Sequence, residues 1–264
     1  MSFRSEFQLR KFGFSDIGIN DVCGMKNFCI SSGWILLYRY VATLYVVIVM
    51  ILSALYHRSP RWFIFLTNWN FILNTFYFIA VTIMSAYHWL NVQRIKKTNQ
   101  NDLEQEDSER RNVISTEESD SSPSFFVGTI CVLMETSMIT SIIVVLLFWI
   151  ILSSEIEGKS SGKQFVSISR HGINLLLLLL DFMFHRIPIR VLHFVYTLLF
   201  GVLYVVMSVV YCFTTTNHIY GKFIDWYNNP TTTVVTVLAT FAAIFLIHFA
   251  LYGLHRLKVA LYGR

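Results

Sequence analysis

Arg61–Phe78 runs RWFIFLTNWNFILNTFYF, and one polar cluster inside it, Thr67-Asn68-Trp69-Asn70, fixes what kind of molecule this is. The surrounding residues are aromatic or aliphatic, as a lipid-facing helix requires. An unpaired amide or hydroxyl in hydrocarbon costs several kcal/mol, so such a cluster is tolerated only where it faces other protein. Thr67, Asn70 and Asn74 follow at i, i+3 and i+7 and share one face of a helix. A lone membrane helix has no partner for that face, whereas a bundle with an interior does.

Composition places the whole chain in the same class. Of 264 residues, 55% are hydrophobic, 16% aromatic and only 14% charged, too apolar for a soluble domain of this length. A helix needs about 20 residues to cross about 30 Å of hydrocarbon. Six continuous apolar stretches meet that length: 34–56, 62–89, 125–152, 165–184, 191–213 and 231–254. A barrel would instead show many short alternating strands. The expected fold is an all-α bundle of six transmembrane helices. Its expected parts are an N-terminal region (1–33), a two-span unit (34–90), a linker (91–124), a four-span unit (125–257) and a tail (258–264).

Six crossings put both termini on one side, and the basic residues choose it. Lys and Arg number 14 on the side of the termini and linker and 5 on the other, with Arg39 and Arg170 inside spans. The bias predicts cytoplasmic termini and insertion directed by the first span rather than by a cleaved leader. Trp34, Trp62, Trp89 and Trp149 stand near span ends, as an interfacial aromatic belt would. The linker, rich in acids and serines (Ser115, Ser119, Ser121, Ser122), is expected to be disordered and reachable by kinases. Cys23, Cys29, Cys131 and Cys212 do not face one another across outer loops, so no disulfide framework is expected. Cys23 and Cys29 are candidates for palmitoylation, with the free thiol as the default.

Polar residues inside spans are costly and therefore informative. His171, Asn174 and Asp181, at i, i+3 and i+10, form a second polar face on the fourth span. Two polar faces imply one interior, and the plainest reading is hydrogen-bonded glue between helices, worth roughly 0.6–2 kcal/mol per bond. Thr67 follows Trp62 by five residues and His171 follows Phe165 by six, in two spans entered from the same side. At about 1.5 Å per residue the two lie at equal depth, roughly 7–9 Å in. A neutral imidazole beside a threonine hydroxyl could take its proton as it attacks an ester, giving acyl transfer at the membrane surface.

These residues carry a resemblance. SRHGINLLLLLLDFMFHRIPIRVLHFVYTLLFGVLYVV, with FLTNWNF upstream and IYGKFIDW downstream, resembles the rolling stone family of multi-pass membrane proteins. That resemblance implies a developmental plasma-membrane protein associated with myoblast fusion. FLTNW paired with RHGIN is also similar to the androgen-induced-gene family of transmembrane threonine hydrolases, which cleave fatty acid esters of hydroxy fatty acids. It implies Thr67 and His171 as catalytic residues, and Asn70, Arg170 and Asn174 beside them are candidate supporting residues. Arg170 stands where that family has Asn, and Asn174 where it has a second His, which alters the charge of the pocket.

Three readings therefore stand: a rolling-stone-like protein of cell fusion, a lipid esterase, and a small transporter built on Arg39, Glu135 and Asp181. Arg39 and Asp181 lie at matching depths and are expected to pair. Glu135, ten residues into the third span, is expected to be protonated or partnered. His193 and His248 are spread over different helices, so no metal or cofactor is expected. The expected partners are membrane lipids, including fatty acyl esters, and no nucleic acid.

Overall fold

A computed structural model describes residues 13, 14, 16–23, 32–57, 59–106, 124–149 and 160–262. Its helices are α1 (Ile19–Cys23), α2 (Ser32–His57), α3 (Leu66–Glu106), α4 (Ser124–Leu147), α5 (Ser161–Ile168), α6 (Asn174–Phe184), α7 (Phe194–Thr215) and α8 (Pro230–Tyr262). A π turn, Ser169–Ile173, joins α5 to α6 into one span. Six helical segments are long and apolar enough to cross a membrane, and no strand occurs among the described residues.

The bundle is apolar outside, and inside it polar side chains sit among a hydrophobic core. On α2, Trp34, Leu37, Val41, Leu44, Ile48, Ile51 and Leu55 recur every three or four residues and are exposed, a stripe suited to lipid. The opposite face buries Arg39, Ala42, Val46, Val49 and Ser53. Contacts between the first two spans run in opposite sequence order, which makes α2 and α3 antiparallel. Thr43 Oγ1 lies 2.8 Å from Thr82 Oγ1 near the middle of α2 and α3. Trp62 Nε1 donates to Ser53 Oγ at 2.8 Å where the two helices are joined. Trp62 is thus buried inside the bundle and takes no place in an interfacial belt.

Local sequence sets the connections. Ser59 caps the 3-10 turn Pro60–Ile64 by accepting the Arg61 N–H at 3.3 Å, with Pro60 preorganised at its start. Thr216, at φ 55°, stops α7 in the left-handed region, and its N–H returns to the Cys212 carbonyl at 2.9 Å. The Asp225 carboxylate then accepts the N–H groups of Tyr227 and Asn228, while its own N–H reaches Thr233 Oγ1 at 2.8 Å. Trp226 Nε1 pins the same connection to Ser208 Oγ at 3.0 Å.

Helix α3 continues to Glu106, through the first half of the segment expected to be unstructured; the remainder of that linker, 107–123, lies outside the described residues, as do 1–12 and Cys29. Residues 13, 14 and 16–23 dock on the bundle. Phe14 packs against Gly128 and the His193 ring, and Arg190 donates to the Gly13 carbonyl and to Asp16 Oδ1, each at 2.6 Å. Cys23 is buried with its thiol toward the Met84 carbonyl, which removes it from any modifying enzyme, and Cys131 and Cys212 are buried free thiols.

Candidate functional site

The polar side chains on this face of α3 go to three different places. Asn70 Nδ2 donates to Ser141 Oγ at 3.0 Å, and Asn70 Oδ1 accepts the Thr140 hydroxyl at 2.7 Å. Asn74 Nδ2 also donates to Ser141 Oγ, at 3.1 Å. Asn70 and Asn74 are therefore glue between α3 and α4. Asn68, which the spacing argument passed over, is fully buried. Its amide donates to the Trp62 carbonyl at 2.5 Å, and its Oδ1 accepts from Arg170 Nη1 at 2.7 Å. Thr67 lines open space, beside the Tyr220 hydroxyl.

That space has two chambers with shared walls. One is a partly open apolar pocket of about 90 Å³ between α4, α7 and α8, lined by Ile143, Leu147, Phe200, Val205, Phe241 and Ile244 among others. The other is an open cleft of about 730 Å³ at the end of the bundle where α2 joins α3, lined by polar groups including Arg61, Arg170, Asn217 and His218. Thr67, Phe148, His171, Tyr220 and Phe223 line both. They form the waist between an apolar chamber and a polar mouth.

The chain builds this waist from three connections. Thr67 is the second residue of α3, so it stands where the helix N-terminus leaves N–H groups without intrahelical acceptors. The Leu66 N–H donates to the Tyr220 hydroxyl at 3.0 Å, and that phenol also contacts Thr67 and Tyr204. Tyr220 is delivered by the tight 216–229 connection, and Gly221, at φ 53°, takes a left-handed turn that a side chain would strain. Burial raises the phenol's pKa above its ordinary value, so Tyr220 remains a neutral donor.

His171 comes from the π turn. Its wide ring closes through the Asn174 N–H to the Ser169 carbonyl, and Ser169 Oγ accepts from the Tyr45 hydroxyl at 2.8 Å. Such turns insert a residue into a helix and commonly occur where a side chain must be re-aimed. The His171 ring stacks on Phe148 at 3.7 Å between centroids and 8° between planes, which fixes its orientation at the waist. Asn174 is buried on the same face but lines neither chamber, and its amide has no hydrogen-bond partner among the described residues.

The remaining intramembrane charges are paired away from the waist. Arg39 Nε donates to Asp181 Oδ1 at 2.8 Å and Nη2 to Oδ2 at 3.3 Å, both residues fully buried. Nη1 donates to Ser85 Oγ at 2.6 Å, and the Tyr77 hydroxyl donates to Asp181 Oδ2. Glu135 Oε1 lies 2.9 Å from His193 Nδ1. Neither pair lines the two chambers, so a conduction path through Arg39, Glu135 and Asp181 gains no support. No group of three or more metal-binding side chains occurs among the described residues.

Comparison with known proteins covers the entire chain. The family model described as "Protein rolling stone" matches residues 1–264. The rolling stone protein of Drosophila melanogaster is 25% identical over 271 residues, spanning 97% of this chain and 90% of the relative. No solved structure matches.

Proposed function

The chain belongs to the rolling stone family, and on that premise we propose that it is a plasma-membrane lipid-ester hydrolase acting in cell–cell fusion of the myoblast type. One observation carries the chemistry: Thr67 and His171 both line the waist where an apolar chamber meets a polar cleft. A fatty acyl ester has the matching form, an apolar chain with a polar bond at its head. With the acyl carbons next to the ester in the chamber, the ester lies among Thr67, His171 and Tyr220.

The reaction needs only these groups and water. His171, neutral, takes the Thr67 hydroxyl proton as Oγ1 attacks the carbonyl carbon. The oxygen of the tetrahedral intermediate gains negative charge, and the Tyr220 O–H is the neutral donor placed to meet it. His171 returns its proton to the leaving alkoxide as the ester C–O bond breaks, leaving the acyl group on Thr67. A water then enters from the cleft, loses a proton to His171 and attacks the acyl carbon. The fatty acid leaves, and Thr67 recovers its proton.

The 14-to-5 distribution of Lys and Arg supports cytoplasmic termini, which sets the cleft in the outer leaflet. The whole-chain family match favours the fusion setting. The connections on the side opposite the termini are short, offering little surface for gripping an opposing cell, so local lipid remodelling suits this chain better than adhesion.

The test is a panel of fluorogenic fatty acyl esters given to purified protein, with an alkyl fluorophosphonate as covalent probe. Thr67→Ala and His171→Ala should each lower turnover at least about a hundredfold, and the double variant should be little worse than either. The probe should label Thr67 in the wild type and nothing in Thr67→Ala. Unchanged turnover in folded Thr67→Ala would refute the hydrolase reading.

A further inference from the structure

Two arginines line the cleft, Arg61 and Arg170, and among the described residues no Asp or Glu does. Arg170 lies in the π turn at membrane depth and is partly buried. Its Nη1 donates to Asn68 Oδ1 at 2.7 Å, while its buried Nε has no partner. Among the described residues no carboxylate pairs with it. The same chain treats its other buried guanidinium groups differently. Arg39 is bound by Asp181 at 2.8 Å and Arg190 by Asp16 at 2.6 Å.

A guanidinium cannot escape burial by losing its proton, so it needs an anion or pays a desolvation penalty. The neighbouring residues hold Arg170 in place instead of neutralising it. Asn68, anchored on the Trp62 carbonyl at 2.5 Å, keeps Nη1 at the cleft floor. A planar guanidinium so fixed presents its remaining N–H groups to an incoming acid in the fork geometry that suits a carboxylate or phosphate. His57 and His218 line the same cleft and add no negative charge.

We propose that this cleft is a receptor for the anionic head group, carboxylate or phosphate, of a single-chain lipid whose first tail carbons enter the apolar chamber. Arg170 is the primary ligand and Arg61, at the exposed rim, the second. The proposal shares its site with the hydrolase reading but none of its chemistry: recognition requires no attack by Thr67. It assigns the polar cluster a second task, in which Asn68 positions the residue that selects the lipid and Thr67 faces the bond beside it.

The experiment uses full-length Thr67→Ala protein in a neutral maltoside detergent, so that hydrolysis cannot confuse binding. Affinities are measured by native mass spectrometry for oleate, oleoyl lysophosphatidate, monoolein and inorganic phosphate. The two anionic lipids, or one of them, should bind at least tenfold more tightly than neutral monoolein. Arg170→Gln should erase most of that preference, and Arg61→Gln, at an exposed position, should reduce it without risk to the fold. Tighter binding of oleate than of lysophosphatidate names the head group as carboxylate, and the reverse order names phosphate. Displacement of either lipid by inorganic phosphate alone would identify a free anion as sufficient. Equal affinity for monoolein and both anionic lipids would overturn the proposal, as would a preference unchanged in both arginine variants. Loss of turnover in Thr67→Ala with the anion preference intact separates this proposal's fate from that of the hydrolase.

Discussion

The buried pair Arg39–Asp181 permits the sharpest energetic test. Asp181→Asn keeps the shape and removes the charge, leaving a fully buried guanidinium facing a weak acceptor. Breaking a buried pair costs about 3–5 kcal/mol, because the surviving charge has already been stripped of water. The Tyr77 hydroxyl and Ser85 keep their places, so they soften the loss without supplying charge. For a chain of this size each kcal/mol moves the unfolding midpoint by about 2–4 °C, so Asp181→Asn should lower it by roughly 6–20 °C. Arg39→Met should cost less, since an isolated carboxyl can take up a proton whereas a guanidinium cannot. The double variant Arg39→Met/Asp181→Leu should recover most of the loss, because apolar side chains of similar volume need no pairing. The measurement is thermal unfolding in detergent, followed by tryptophan fluorescence and by size-exclusion recovery of monodisperse protein. Additivity of the two single changes within about 0.5 kcal/mol would refute the coupling.

Asn70→Ala should cost about 1–2 kcal/mol in the same unfolding assay, since it removes bonds to both Thr140 and Ser141, with ester turnover reduced far less than by Thr67→Ala. His185, outside the spans and fully buried, accepts the Ile187 N–H on Nδ1 at 3.1 Å, and its pKa lies well below the ordinary value, through burial first and then the nearby Lys258 charge. Because the folded state resists the proton that the unfolded state takes up, stability should be complete above about pH 6.5 and fall below it, by at most about 1.4 kcal/mol per pH unit. Unfolding scans at pH 7.5 and 5.5 should show a smaller acid loss for His185→Asn, and an equal loss would exclude this residue. Epitope tags at either terminus should be reached by antibody only in permeabilised cells; staining of intact cells would reverse the orientation and the leaflet assigned to the cleft.

Much of this was legible in the sequence because the bilayer imposes period and length. A continuous apolar run of about 20 residues can only be a helix there, so six spans and their approximate limits followed from counting. The polar faces on α3 and on the fourth span were likewise set by helical periodicity, and matching depth joined Arg39 to Asp181. Residue spacing carries depth and facing, which are one-dimensional properties of a helix. It does not carry azimuth among helices, and that is where the tertiary structure decided. Asn70 and Thr67 share a face, yet one meets Ser141 on α4 and the other the open waist, because α4 covers only part of that face. Asn68 and Tyr220 had no periodic signal. Asn68 matters only because a π turn aims Arg170 at it, and Tyr220 only because a distant connection folds onto the first turn of α3. Trp62 likewise lies at a span end, where lipid would suit it, but a serine on the neighbouring helix draws it inward. A sequence determines which residues lipid must not touch; which of them meet is set by how six helices share a limited interior.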